Sequence, residues 1–174
     1  MTKSSDGVVE FLLCDWATNS GRRRIQLALL MFRIAQFCKT RFGKLAAPIS
    51  FIYRQYALSY IGLDLPVSTE VGRCLRIHHG IGLVINGSCK IGTGVELRQN
   101  TTIGSRIGPS DAPTLRDNVS VGANCVVMGR IDVGENVTVG AGCVLLSSVD
   151  PGSTVVGNPS RVIRANELGS ECYK

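Results

Sequence analysis

The sequence predicts a mainly β chain, a solenoid of short parallel strands with a small helical cap at its N-terminal end. Three observations carry this. First, an aliphatic residue opens each block of six at Leu115, Val121, Val127, Val133, Val139 and Leu145, and the same phase holds upstream at Val71, Ile77, Ile85, Ile91, Leu97 and Ile103. A period of six suits a short strand plus a tight corner; 3.6 residues per turn would scatter these side chains around a helix. Second, glycine follows the anchor at Gly72, Gly92, Gly104, Gly122, Gly134 and Gly140, as a chain needs where it turns sharply or backbone meets backbone. Third, aromatics are 6% of the chain while glycines number 20, so the core is aliphatic and thin. In such a stack each rung is stabilised mainly by its neighbours.

Taken in order, Met1 to Gly7 is a loose polar tail and Val8 to Trp16 a short helix. Ser20, ahead of Gly21 and three arginines, can cap a helix in which Ile25, Ala28, Leu29, Phe32 and Ala35 keep three-and-four spacing up to Phe37. A break at Phe42 to Pro48 precedes a second helix, Ile49 to Tyr60, with Ile49, Ile52, Tyr53, Tyr56, Ala57 and Tyr60 on one side; Gly62 stops it. Neither helix carries the sixfold repeat, so residues 1–62 form the cap that an open stack of rungs requires. The repeat region spans 63–163 and a polar tail 164–174.

Two irregularities interrupt the repeat. A two-residue excess between Ile77 and Ile85 carries both histidines of the chain, His78 and His79. Gly104 to Thr114, with Pro109 where an aliphatic residue is due, is an extruded loop. Insertions in a solenoid bulge from its surface, and function concentrates in them.

Composition narrows the classes. Net charge is +6, with Arg22, Arg23, Arg24, Arg33, Lys39, Arg41 and Lys44 in the N-terminal third. Few aromatics alternate with them, which disfavours nucleic acid and leaves an anionic small molecule or simple solvation. Seven cysteines are odd in number and form no C-x-x-C pair; several fall at apolar repeat positions. They are expected to be reduced, buried thiols in a cytoplasmic protein, not disulfides or metal ligands. Met1 to Glu10 has no apolar run of a signal peptide, and Ile25 to Phe37 is too short and too polar to span a bilayer.

For general-base work near neutral pH a neutral imidazole is the best-matched side chain. Only His78 and His79 can supply one. The run I-H-H-G-x-G-x-V-I-N, then T-T-I-G, V-G-A-G and V-V-G-N-P-S-R-V-I, together with the hexads and the extruded loop, resembles the hexapeptide-repeat acyltransferases. Within them it is most similar to the serine acetyltransferases and to the colanic acid and capsule biosynthesis acetyltransferases, over about Asp15 to Ile163. That resemblance implies a left-handed parallel β-helix, a homotrimer with active sites between subunits, acetyl-CoA as donor and no metal. It places His79 on the catalytic base and Asp64, in G-L-D-L-P, on the carboxylate that orients it. It also places Gly104, Ser105, Ala123 and Ala141 along the donor's pantetheine arm and Arg161 at its phosphate.

The chain departs from the serine enzymes in its short cap. Where they hold the amino acid, it has His78, Asp111 and Ala112, and Asp111-Ala112 offers nothing to offset desolvation of an α-carboxylate. The polysaccharide relatives share the short cap, the H-H-G, and an early D-x-x-x-N followed by arginine, here Asp15, Asn19 and Arg33. Those groups, with His78, are candidates for sugar hydroxyls, although Asn19 and Ser20 equally suit a helix cap. The reading is therefore an O-acetyltransferase acting on a sugar hydroxyl in surface polysaccharide biosynthesis, with serine O-acetylation as the alternative and a non-catalytic binding solenoid as a remoter one. A zinc hydrase would need three histidines, and the chain has two.

Overall fold

A computed structural model describes residues 3–108 and 111–163, with side chains from residue 7; Pro109 and the expected tail at 164–174 lie outside the described residues. The β region winds through five coils. They are β1 (Leu63–Asp64), β2 (Glu70–Val71) and β3 (Arg76–Ile77); β4 (Leu83–Ile85), β5 (Lys90–Ile91) and β6 (Glu96–Leu97); β7 (Thr102–Gly104), β8 (Thr114–Leu115) and β9 (Ser120–Val121); β10 (Val126–Met128), β11 (Asp132–Val133) and β12 (Thr138–Val139); β13 (Val144–Leu145) and β14 (Thr154–Val156). A last strand, β15 (Arg161–Ile163), folds back antiparallel on β14. Like strands stack in parallel into three walls: β1-β4-β7-β10-β13, β2-β5-β8-β11 and β3-β6-β9-β12-β14. This is the mainly β, parallel β-helix class expected from the hexads.

The repeat anchors point inward and are buried, Val71 alone being half-buried. Strand alternation brings the residue two before each anchor inward as well, which is where Cys89, Cys125 and Cys143 sit, buried among aliphatic neighbours. Burial pushes all three thiols up, Cys89 to about 11, so they stay protonated and act as small hydrophobes. The six described cysteines are free; Cys74 is exposed. Corners take up the left-handed conformation at Asn118, Asn124 and Asn136 (φ 58 to 59°), which short polar side chains tolerate.

The cap is α1 (Lys3–Leu12), α2 (Arg23–Phe42), a 3₁₀ turn (Gly43–Ala46), α3 (Ala47–Tyr56) and a π turn (Ala57–Ile61) that ends at Gly62 with φ 74°. Three expectations change. The tail is helical from Lys3, and the helix expected to reach Trp16 ends at Leu12, its last turn carrying Phe11 against the Arg33 guanidinium. The helix start moves from Ser20 to Arg22, which makes no side-chain capping bond. The apolar side proposed for α3 divides: Tyr53, Ala57 and Ile61 face the coil, while Ile49, Ile52 and Tyr60 face outward. Steps of four from Tyr53 aim one row at the core and leave the neighbouring row outside.

Asp15, Asn19 and Arg33 need the larger correction. They are 2%, 0% and 1% exposed, so no sugar hydroxyl reaches them. Their polar groups pair with the open edge of the first coil. Arg33 Nε and Nη2 donate to the Asp15 carboxylate at 2.8 and 3.3 Å, Nη2 also to Gly72 O at 2.6 Å and Nη1 to Val71 O at 2.9 Å. Leu75 N donates to Asp15 Oδ1 at 2.8 Å and Ile77 N to Asn19 Oδ1 at 3.0 Å, while Asn19 Nδ2 donates to Leu75 O at 2.7 Å. Gln36 Nε2 and Tyr53 Oη add bonds to Thr69 O and Leu65 O. A first coil has no rung beneath it, and its unpaired backbone groups would be costly if buried bare; these side chains stand in for the missing rung.

Candidate active site

The two-residue excess at His78 to Gly82 forms the corner between the third wall and the first, after β3 and before β4. Above it, the same edge is built by the corners that contain Ala123, half-buried, and Ala141, exposed. Across the first wall lies the opposite edge, where β7 ends at Gly104 and Ser105 begins the extruded loop. The outward row of the wall between them is Asp64, Val84, Thr102, Val126 and Val144, in register from strand to strand. His79, Asp64, Gly104, Ser105, Ala123 and Ala141 therefore all border one face of the solenoid. Arg161 is exposed on β15, opposite Val156 at the top of the third wall.

A cleft of about 500 Å³ opens at the histidine corner, walled by His78, His79, Ile81, Tyr60 and the start of α2 at Arg22 to Ile25. The two imidazoles differ in their surroundings. His78 is half-buried, its Nδ1 3.4 Å from Arg22 Nη2 and its Nε2 3.2 Å from Glu96 Oε2. A guanidinium only donates and a carboxylate only accepts, so this geometry calls for the neutral tautomer with the proton on Nε2. His79 is exposed, lines the cleft and hydrogen-bonds to no protein group among the described residues. Asp64 is half-buried on β1 and pairs with Arg54 Nη2 at 3.5 Å; no ion pair joins it to His79. His79 and Asp64 thus border one face with no hydrogen bond or ion pair between them.

Nothing in the sequence marks Arg22, Arg23, Arg24, Tyr60 and Glu96 as parts of this site. The arginine run was visible, but only the docking of α2 beside the histidine corner brings it there. Glu96 meets His78 because the two-residue excess between Ile77 and Ile85 sets Arg76 opposite Glu96 in the β3–β6 ladder. A larger cavity, about 770 Å³ between α1, α2 and the first coil, is walled by Val8, Phe11 and Phe37 and holds no histidine or cysteine. Among the described residues, no group of three or more His, Cys, Asp or Glu side chains gathers to hold a metal ion.

Glycines separate structural from spatial needs. A Cβ on Gly72, Gly92, Gly122 or Gly134 would meet atoms of the next coil at 2.5 to 2.6 Å, whereas one on Gly104 would meet only Thr102 Cγ2, at 3.9 Å. The chain leaves the coil at Gly104, so the space beside it stays open. On the donor placement that the family resemblance implies, Gly104→Val is expected to leave the melting temperature within about 2 °C while weakening CoA binding about tenfold by steric exclusion. Gly122→Ala, against the Ala141 backbone at 2.5 Å, is expected to cost about 1–3 kcal/mol of stability instead. Thermal melts and equilibrium CoA titration separate the two outcomes.

Comparison with known proteins gives a consistent picture. Residues 112–147 match the family described as bacterial transferase hexapeptide (six repeats). Over 101 residues the chain is 37% identical to the putative colanic acid biosynthesis acetyltransferase WcaB of Escherichia coli K12, a match that covers 55% of this chain and 62% of that protein, less than two thirds of its length. Soybean serine acetyltransferase complexed with serine superimposes with a TM-score of 0.78 at 25% identity, covering 92% of this chain and 71% of that one. A serine acetyltransferase in complex with CoA has the same fold, with a TM-score of 0.76 at 23% identity over 92% of this chain and 72% of that one.

Proposed function

We propose that this hexapeptide-repeat β-helix protein is an acetyl-CoA-dependent O-acetyltransferase that acts on a sugar hydroxyl of a surface polysaccharide or its precursor. The observation that carries the reading is His79, an exposed imidazole in the wall of a cleft at the corner between the third wall and the first. The similarity to a colanic acid acetyltransferase supports a glycan acceptor. Serine acetyltransferases share the fold and keep serine as the second reading. Asp111 speaks against it, since its carboxylate accepts from Ile107 N and Arg130 N and braces the extruded loop, where an α-carboxylate would need a cation.

In the proposed reaction, neutral His79 takes the proton from the acceptor hydroxyl as its oxygen attacks the thioester carbonyl. The resulting imidazolium returns that proton to the departing CoA thiolate, so the enzyme ends as it began. No covalent enzyme intermediate is needed when both substrates lie in one cleft. Acetyl-CoA is the co-substrate and lies along the face bounded by Gly104, Ser105, Ala123 and Ala141, with Arg161 toward its phosphates. Asp64 is assigned the orienting role on the resemblance and on its place in the same outward row; its partner in the free chain is Arg54. His78, fixed between Arg22 and Glu96, shapes the acceptor side. The proposed assembly is a homotrimer in the cytoplasm, with neighbouring subunits closing the clefts, and the free thiols fit a reducing compartment.

Thiol release from acetyl-CoA, measured against a panel of sugars, glycan fragments and serine, tests this. Turnover is expected with a glycan acceptor and not with serine. Serine turnover would move the assignment to the second reading, and neither turnover nor CoA binding would leave a binding solenoid.

A further inference from the structure

The outer side of the cap does not look like the surface of a freely diffusing protein. Leu45, Ile49, Ile52, Tyr56 and Tyr60 follow one another at steps of four, three, four and four along the 3₁₀ turn, α3 and the π turn, so they form one stripe. Leu45 is 82% exposed, Ile52 60% and Tyr60 75%; Phe51 beside them is 64% exposed, and Phe42 is exposed as well. Tyr56 and Tyr60 stack on each other with centroids 5.6 Å apart. Large apolar side chains exposed together in this way mark an interaction surface.

The charge around the stripe says what covers it. From Trp16 to Leu63 there is no aspartate or glutamate, while Arg22, Arg23, Arg24, Arg33, Lys39, Arg41, Lys44 and Arg54 all fall in that stretch. Arg33 is buried against Asp15, but Lys39, Arg41 and Lys44 are exposed near the stripe's first turn and Arg23 and Arg24 near its last. Arg54 on α3 pairs with Asp64, but aromatic and aliphatic side chains flanked by Lys39, Arg41, Lys44, Arg23 and Arg24 match an anionic bilayer surface, where the apolar groups enter the headgroup boundary and the cations meet lipid phosphates. No described helix is long and apolar enough to cross a membrane, so such a contact would be peripheral.

We propose that the outer face of the helical cap docks on an anionic lipid bilayer through Leu45, Phe51, Ile52 and Tyr60. Because Tyr60 also walls the His79 cleft, docking sets the mouth of that cleft at the bilayer surface. The proposal stands on exposure and charge, and it does not depend on the catalytic assignment.

Co-sedimentation of the full chain with vesicles tests it. Mixed phosphatidylcholine and phosphatidylglycerol vesicles are expected to bind the protein at least about tenfold more tightly than phosphatidylcholine alone, and added salt should weaken the binding. Phe51→Glu/Ile52→Glu should lose at least about tenfold of it, as should Arg41→Glu/Lys44→Glu, with unchanged circular dichroism melts because these side chains are exposed. Thiol release with a soluble acceptor should be unaffected, so failure here and failure of the enzymatic reading are separate results. Equal binding to both vesicle types, binding to neither, or a glutamate variant that binds like wild type would overturn the proposal. So would a wild-type oligomer that the glutamate pair splits in sedimentation velocity without any vesicle binding, which would give the face to a second copy of the chain.

Discussion

His79→Ala is expected to lower kcat by about two to four orders of magnitude, the usual contribution of a positioned general base, while the CoA dissociation constant changes less than about twofold. The size of the loss follows from the lack of a substitute. His78 is the only other imidazole, and both its nitrogens are engaged, by Arg22 and by Glu96. Moving its proton would cost one of those contacts. His78→Asn should lose only about tenfold, in keeping with a residue that shapes the cleft. Asp64→Asn separates orientation from binding: a drop in kcat with unchanged CoA affinity supports the orienting role, and no change removes it. Full activity in His79→Ala, followed by thiol release, would unseat the base assignment, whatever becomes of the fold.

The second large effect concerns stability. Arg33→Ala is expected to destabilise the protein by about 3–5 kcal/mol, because it leaves the Asp15 carboxylate buried without its cation and strips the donors from Val71 O and Gly72 O. For a chain of this length that corresponds to a fall of about 10 °C in melting temperature. Asp15→Asn/Arg33→Met should cost less than the sum of the single changes, since neither charge is then left alone. Had these residues met sugar hydroxyls, Arg33→Ala would instead raise the acceptor KM and leave the melt unmoved. Differential scanning calorimetry, paired with kinetics well below the transition, decides between the two.

The corrections have one origin. The motif D-x-x-x-N with a later arginine was visible as a set of polar residues near an apolar helix, and such a set has two common uses, ligand contact and backbone satisfaction. Nothing in the local sequence distinguishes them. The open edge of the first coil does, because its amides and carbonyls need partners that only a neighbouring element can provide. The same holds for α3, whose apolar residues outnumber the positions that one coil edge can cover. Asp64 illustrates the remaining distance between resemblance and geometry: it lies on the expected face, but in the single chain its nearest charge is Arg54.

By itself the sequence determined the coil, since a period of six with small residues at the corners allows only a stacked prism whose anchors all point inward. It also determined where the repeat is broken, and hence where the histidines and the extruded loop leave the prism. Only the tertiary structure decided which polar side chains close the first rung, which imidazole is exposed, and which apolar row of the cap is left facing outward. Those outcomes depend on what lies across from a residue, and periodicity along the chain carries no information about the element on the other side.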